Sequence, residues 1–343
     1  MDLKIYTSDL KLAAIADDYD TLRATRCYAR AGELVLTTRP GGINAAEYKE
    51  GRHIYVRGHG FDNGYVIDCV ERDGDTLTVR ATGILSLFAR RVRTQDVSAE
   101  IAPGAYLCAL AQSAADALPG PLAVAAAGGG DAVEFSHDFD DVYSTMRDLC
   151  KSSGAGMRLR ADYGARTFAF AALRPTDRTA GSADPFVLSR ARESCVDDFV
   201  RVDASDYYNA AVVCGCRADD GTRYVARYKP DPSVAGAELR ELCVDARGED
   251  IKRFAVSKGV YDIAAYLASL RAIGAAALAA HRVRVRAVAA LPHTVSEAAN
   301  APAPGDVVTF ESGPFVAPLL VDEAELTVEA GATGVSLTLG GEI

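Results

Sequence analysis

The sequence predicts an α+β fold that is mainly β, on three observations. Short strand-like runs broken by glycine-containing turns fill residues 1–100 and resume after residue 186. Between them, over residues 101–185, two stretches carry apolar residues at helical spacing. A longer helical stripe, from about Tyr261 to His281, stands among the later strand-like runs. These shifts of pattern divide the chain into a β segment 1–100, an α/β insertion module 101–185 and a second β segment 186–343.

In the first segment the β-like runs are Leu3–Tyr6, Ala24–Arg30, Gly32–Thr37, His53–Arg57, Tyr65–Arg72 and Thr76–Gly83. Ala31-Gly32 and Asp73-Gly74-Asp75 sit where hairpins turn. Leu77-Thr78-Val79-Arg80-Ala81 alternates apolar with polar, which buries one face and wets the other. Several short strands in close succession fit a barrel or a sandwich.

Pro103 suits the first turn of a helix, and Leu107, Leu110, Ala111, Ala114 and Leu118 follow at helical spacing until Pro119-Gly120. A second helix is expected from about Phe139 to Ser153, with Val142, Tyr143, Met146, Leu149 and Cys150 on one face and Gly154 after it. Gly156–Ala161 and Thr167–Leu173 read as a hairpin turning through Asp162-Tyr163-Gly164. The polar stretch Arg174–Pro185 reads as a linker or an exposed crossing between modules.

Strands resume at Phe199–Ala204, Asn209–Cys216 and Thr222–Tyr228, the last two joined by Asp219-Asp220-Gly221. The long amphipathic helix, about 261–281, carries Ile263, Leu267, Leu270, Ile273, Ala277 and Leu278 along its stripe. Closing strands are expected at Arg282–Ala290, Asp306–Phe310, Val316–Glu325 and Val335–Leu339. In Arg282-Val283-Arg284-Val285-Arg286 the arginines share one face and the valines the other.

Lys plus Arg total 37 against 47 Asp plus Glu, and the net charge of -10 argues against broad contact with nucleic acid or anionic lipid. Arg90-Arg91-Val92-Arg93 reads as a solvated edge at the end of a strand. The opening residues lack a signal peptide's basic start and apolar core, and no run reaches the roughly 18 apolar residues of a membrane span. The expectation is a chain made in the cytoplasm, without membrane insertion. Eight dispersed cysteines (Cys27, Cys69, Cys108, Cys150, Cys195, Cys214, Cys216, Cys243) point to reduced, mostly buried thiols rather than a disulfide framework.

No catalytic, cofactor or metal site stands out. His53, His59, His137, His281 and His293 are far apart, and none sits in an HxxxH, HxH or HExxH frame, which argues against zinc. Cys214-Gly215-Cys216 has no second cysteine pair nearby and reads as part of a strand. Asp138, Asp140 and Asp141 read as helix-capping carboxylates, and Asp197-Asp198 and Asp219-Asp220 as turn or surface residues. Gly128-Gly129-Gly130 lacks the Lys-Ser/Thr that follows a phosphate-binding loop. Tyr207-Tyr208 precedes a strand and is expected to turn one ring inward and one outward.

The order of features resembles the hub proteins at the tail tip and baseplate of long-tailed bacteriophages. The resemblance is carried by a first strand, the strand pair from Ala24 to Leu36, Tyr48 to Val56, Asp62 to Ile67, Leu77 to Gly83 and Leu87-Phe88-Ala89-Arg90-Arg91. Downstream it is carried by Tyr208-Asn209-Ala210-Ala211-Val212-Val213-Cys214-Gly215 and the turn Gly305-Asp306-Val307-Val308-Thr309. It implies two tube-type β-barrel domains per chain and a homotrimer whose six barrels form a pseudo-sixfold ring between tail tube and tip. It further implies a virion-tail location, contact with tail-tube, distal-tail and tip or fibre proteins, no cofactor, and DNA only in transit through the lumen. An acidic lumen would keep that DNA from sticking. Two other classes compete: a cell-wall hydrolase or peptidase, and a carbohydrate- or receptor-binding module seated on residues 101–185. Against the hydrolase, only about 35 residues follow the Gly-Asp strand, fewer than the roughly 50 of an independent domain. Against the binding module, there is no Trp.

Overall fold

Alternating burial marks β1, β4 and β7 among the first seven strands. β1 (Asp2–Tyr6), β2 (Leu12–Ile15), β3 (Tyr19–Cys27), β4 (Glu33–Thr38), β5 (His53–Gly58), β6 (Phe61–Asp73) and β7 (Thr76–Gly83) are antiparallel neighbours in the order β3-β4-β7-β6-β5-β1-β2. In β7, Leu77, Val79 and Ala81 are buried while Thr76 and Arg80 face solvent. β2 is an addition to the sequence expectation, because Leu-Ala-Ala-Ile has no alternation to announce it. The computed structural model describes residues 1–125, 131–218, 220–257 and 260–342. The Gly128–Gly130 run and Asp219 lie outside the described residues.

A 3-10 helix, Ile84–Arg90, follows β7, so the arginines of Arg90–Arg93 close a helical turn rather than a strand. β8 (Val97–Ile101) comes next, then α1 (Pro103–Ser113), with proline in its first turn as expected. After β9 (Leu122–Val124), β10 (Val133–His137) pairs antiparallel with β8. α2 (Val142–Ser153) begins where Asp141 accepts the Ser144 N–H at 2.8 Å, and it ends at Gly154, whose φ of 69° suits a left-handed cap. β11 (Gly156–Asp162) and β12 (Thr167–Leu173) form the expected hairpin, and β12 also pairs in parallel with β9. Leu107, Met146, Leu149, Phe168 and Phe170 share one core with Val66, Leu85 and Phe88, so this module and the first strands bury a common apolar surface.

The stretch expected to be a polar linker is structured. β13 (Thr176–Arg178) lies inside it and β14 (Val187–Ser189) just beyond, and each pairs in parallel with a later strand. β15 (Asp197–Asp203) then leads out of the first of two units, which comprises Met1–Val200 and Arg286–Gly340.

The second unit is built on Arg201–Val285. Its sheet has the order β17-β16-β18, from β16 (Ala210–Arg217), β17 (Arg223–Tyr228) and β18 (Glu241–Asp245). A small pair, β19 (Ala255–Ser257) and β20 (Val260–Tyr261), precedes α3 (Ile263–Ala279). The buried stripe of α3 is Tyr266, Leu270, Gly274 and Leu278, whereas Ile263, Leu267, Ile273 and Ala277 from the expected stripe are only half-buried. Alanines on every side of this helix made its sequence pattern too even to fix the inner face. Tyr266 fills the core with Val213 and Leu270, and its hydroxyl accepts the Cys216 N–H at 2.9 Å.

Four further elements return to the first unit: β21 (Arg284–Leu291), the short α4 (His293–Ser296), β22 (Asp306–Ser312) and β23 (Phe315–Glu329), followed by β24 (Ala332–Glu342). The first half of β23 pairs with β22, and the second half lies between β24 and β3. The strand path of the large sheet therefore runs β15-β21-β24-β23-β3-β4-β7-β6-β5-β1-β2, with β22 carrying β13 and β14 to one side. Among the described residues this path is open, with β15 at one end and β2 at the other.

Tyr28, just past β3, joins three parts of the first unit. Its N–H donates to the Asp322 carbonyl and its carbonyl accepts the Met157 N–H, each at 2.9 Å. Its hydroxyl donates to the Gly154 carbonyl at 3.2 Å. The ring lies so close to Gly156 and Gly305 that a Cβ on either would sit 2.2 Å and 2.9 Å from ring carbons. Gly305 also holds φ at 104°, a region few other residues occupy.

Arg178 secures the same corner. Its side chain is only 7% exposed and meets Asp306 at 3.1 Å and Asp184 at 3.0 Å. It donates to the Asn300 carbonyl at 3.0 Å and lies 5.4 Å from the Phe186 ring centre.

Gly156→Ala is expected to cost about 1–3 kcal/mol by overpacking the ring. In a urea-unfolding double-mutant cycle with Tyr28→Leu that cost should shrink toward zero, and additive losses would refute the contact. Arg178→Met leaves the half-buried Asp306 carboxylate without its cation, with the Ala303 N–H at 2.9 Å as a remaining partner, and an unfolding free energy lower by about 2–3 kcal/mol is expected.

Candidate assembly edges and a histidine cluster

A strand at the end of a sheet presents unpaired backbone N–H and C=O groups, and proteins usually blunt it with charge, proline or a covering element. The two ends of this sheet also carry exposed apolar side chains, set on β15 among the charged residues Asp197, Asp198, Arg201 and Asp203. On β2, Leu12 is 56% and Ile15 60% exposed. At the start of β15, Val196 is 60% and Phe199 57% exposed. Arg190 reaches Asp198 at 3.6 Å beside this second edge; Asp197-Asp198 opens a strand rather than a turn, with Asp197 at the surface as expected.

The structure gives structural work to most residues the sequence singled out. Asp141 caps α2, and Asp140 accepts the Asp141 N–H at 2.7 Å. Arg91 pairs with Asp116 at 2.9 Å. Asp220 accepts the Thr222 N–H at 2.8 Å in its turn. A Cβ at Gly215 would meet the Tyr266 hydroxyl at 2.6 Å, so the Cys214-Gly215-Cys216 run is where β16 receives α3. Tyr208 packs edge-on to His281, while Tyr207 is half-buried with the Arg240 guanidinium 6.0 Å from its ring centre rather than turned outward. All eight cysteines are unpaired, but only Cys150 and Cys195 are buried and Cys69 and Cys243 are exposed, so the expectation of mostly buried thiols is corrected.

Three side chains that no sequence spacing joined do converge. His59 occupies the two-residue turn between β5 and β6, and His293 and Glu297 lie one helical turn apart at α4. His59 Nδ1 is 3.2 Å and His293 Nε2 4.0 Å from Glu297 Oε1. Burial holds His59 below the usual histidine range, partly offset by Glu297. The signal available in the sequence was His293-Thr294-Val295-Ser296-Glu297, an i,i+4 pair that HxxxH and HExxH searches pass over.

No family model and no curated protein matches this sequence. Solved structures do match over nearly its whole length. The MuSo2 prophage 43 kDa tail protein of Shewanella oneidensis superposes with a TM-score of 0.58 at 12% identity, covering 99% of this chain and 98% of that one. The prophage tail protein gp18 of Listeria monocytogenes EGD-e gives 0.55 at 11%, covering 98% and 94%. A chain of the phage P2 baseplate gives 0.50 at 9%, covering 99% and 98%. The fold is that of prophage tail proteins. At such low identity the likeness lies in the backbone path, which the chain keeps with its own set of side chains.

Within this prophage-tail fold, His53 is a core residue, 2% exposed, with Nδ1 3.4 Å from the Tyr163 hydroxyl. Burial, with a smaller effect of Arg90, pushes it down to about 4. It is therefore neutral when folded, and the unfolded chain takes up its proton first as pH falls below the ordinary value of 6.5. Stability should drop between about pH 6.5 and pH 4 by on the order of 2–3 kcal/mol from this residue. Urea unfolding of wild type and His53→Gln at both ends of that window checks it: the variant should show a shallower fall, and parallel curves would refute the assignment.

Proposed function

We propose that this chain is a non-enzymatic structural subunit of a phage or prophage tail, acting at the baseplate or tail tip as a hub. The observation that carries the reading is the agreement of fold with prophage tail proteins over almost the full length of both chains. The likeness to a chain of the phage P2 baseplate supports the baseplate location.

In the finer form of the proposal, residues 1–100 and 186–343 supply two tube-type β-barrel domains, and residues 101–185 an inserted α/β module. Three copies form a ring that adapts the tail tube to the tip, with tube, distal-tail and tip or fibre proteins as neighbours and DNA passing through the lumen. The apolar open edges at β2 and β15 support this, since a closed symmetric ring satisfies edge strands that would otherwise recruit stray partners.

Light scattering over a range of concentrations should give three chain masses, and negative-stain images a ring. Ile15→Lys and Phe199→Lys, each on an exposed edge, should lower the assembled fraction about tenfold or more, since a charge in an apolar contact costs well over 1.4 kcal/mol. A monomer at every concentration, together with edge variants that enter reconstituted tails as wild type does, would overturn the ring.

A further inference from the structure

The strongest unassigned chemistry in the first unit is the histidine cluster. β5 and β6 are joined by His59-Gly60 alone, with Gly58 paired to Phe61. The φ values of 51° at His59 and 76° at Gly60 are those of a type I′ hairpin turn. The first position of such a turn is ordinarily Asn, Asp or Gly, and histidine is among the few other residues that enter this positive-φ region. The turn lies against α4: a Cβ on Gly60 would stand 3.6 Å from the Ser296 carbonyl oxygen. Only 10% of the His59 side chain is exposed, and it faces His293 and Glu297.

The three side chains offer two imidazole nitrogens and a carboxylate oxygen, all within 4.8 Å of one another. With metal–ligand distances of about 2.0–2.1 Å, donors around a tetrahedral zinc ion stand about 3.3 Å apart. The observed 3.2 Å and 4.0 Å separations from Glu297 bracket that spacing. His293 and Glu297 side chains are 65% and 49% exposed, free to close the remaining fraction of an ångström.

The geometry points to a binding site for one divalent transition-metal ion of the zinc class, ligated by His59, His293 and Glu297. Two imidazoles and one carboxylate suit such an ion better than magnesium or calcium, which take oxygen ligands. The ion would clip the tip of the β5–β6 hairpin to the segment that follows β21, joining parts of the unit far apart in sequence. The solvent side of the cluster leaves a fourth position for water. This inference stands apart from the tail reading and does not depend on it.

The test uses the full chain without a histidine tag, freed of metal by chelator and titrated with cobalt(II) and zinc chloride. One ion per chain is expected, with a nitrogen and oxygen ligand spectrum and no sulfur–cobalt charge-transfer band. His59→Asn, which keeps a residue tolerant of the turn, His293→Ala and Glu297→Gln should each weaken binding about tenfold or more, as losing even an outer partner of a metal ligand does. Zinc should raise the unfolding temperature of wild type but not of the variants. A sulfur–cobalt band, unchanged binding in the variants, or no binding at all would overturn the site. If His59→Asn fails to fold by circular dichroism, the two exposed positions carry the test alone.

Discussion

The first unit depends on one ring and the space left for it. Tyr28 leaves β3 and enters a gap bounded by Gly156 and Gly305, two positions where a methyl group would collide with it. Its backbone bonds to Asp322 and Met157 tie the N-terminal strands to β23 and to the β11–β12 hairpin at a single residue. Because packed interiors tolerate little change in volume, this contact fixes where the inserted module and the C-terminal strands meet the first sheet. Arg178 stabilises the other side of the same turn through Asp306, so the Gly-Asp pair is held by an aromatic wedge and a buried cation together.

Much of the β architecture was legible in the sequence because alternation and glycine turns are local signals. Leu77 to Ala81 announced both the strand and its buried face, and the Pro103 and Gly154 helix boundaries followed from local chemistry. The helix expected from about Phe139 starts at Val142 because Asp141, among several neighbouring carboxylates, is the one that caps it. What escaped had no local signature. Val97–Ile101 pairs with Val133–His137 although most of it is exposed, so its pattern carries little apolar contrast. Thr176–Arg178 looked like linker because its buried residue is a charged one, made acceptable there by nearby Asp184 together with the distant partners Asp306 and Asn300. His59 sat in a two-residue turn some 230 residues from His293, where only the folded chain can bring them together.

The candidate surfaces were the least legible part. Period-two alternation tells which residues share a face of a sheet, not which strand is left at its end. Phe199 reads as an ordinary strand residue, and Leu12, Ile15 and Val196 lie in no expected strand, until the order of the sheet places β2 and β15 at its ends. Buried residues answer to contacts within the chain, which periodicity registers, whereas exposed apolar residues at a sheet end leave no such pattern.

The pairing of β3 with β23 has a consequence for how the protein is made. Arg23 and Glu325, which pair across these strands, are 302 residues apart in sequence. At about 5–20 residues per second a ribosome needs roughly 15–60 seconds to cover that distance, far longer than a hairpin takes to form. During that interval β3 has β4 on one side and nothing on the other. Nascent chains following one another on one messenger would therefore carry the same unsatisfied strand edge side by side, the kind of edge that templates pairing between chains.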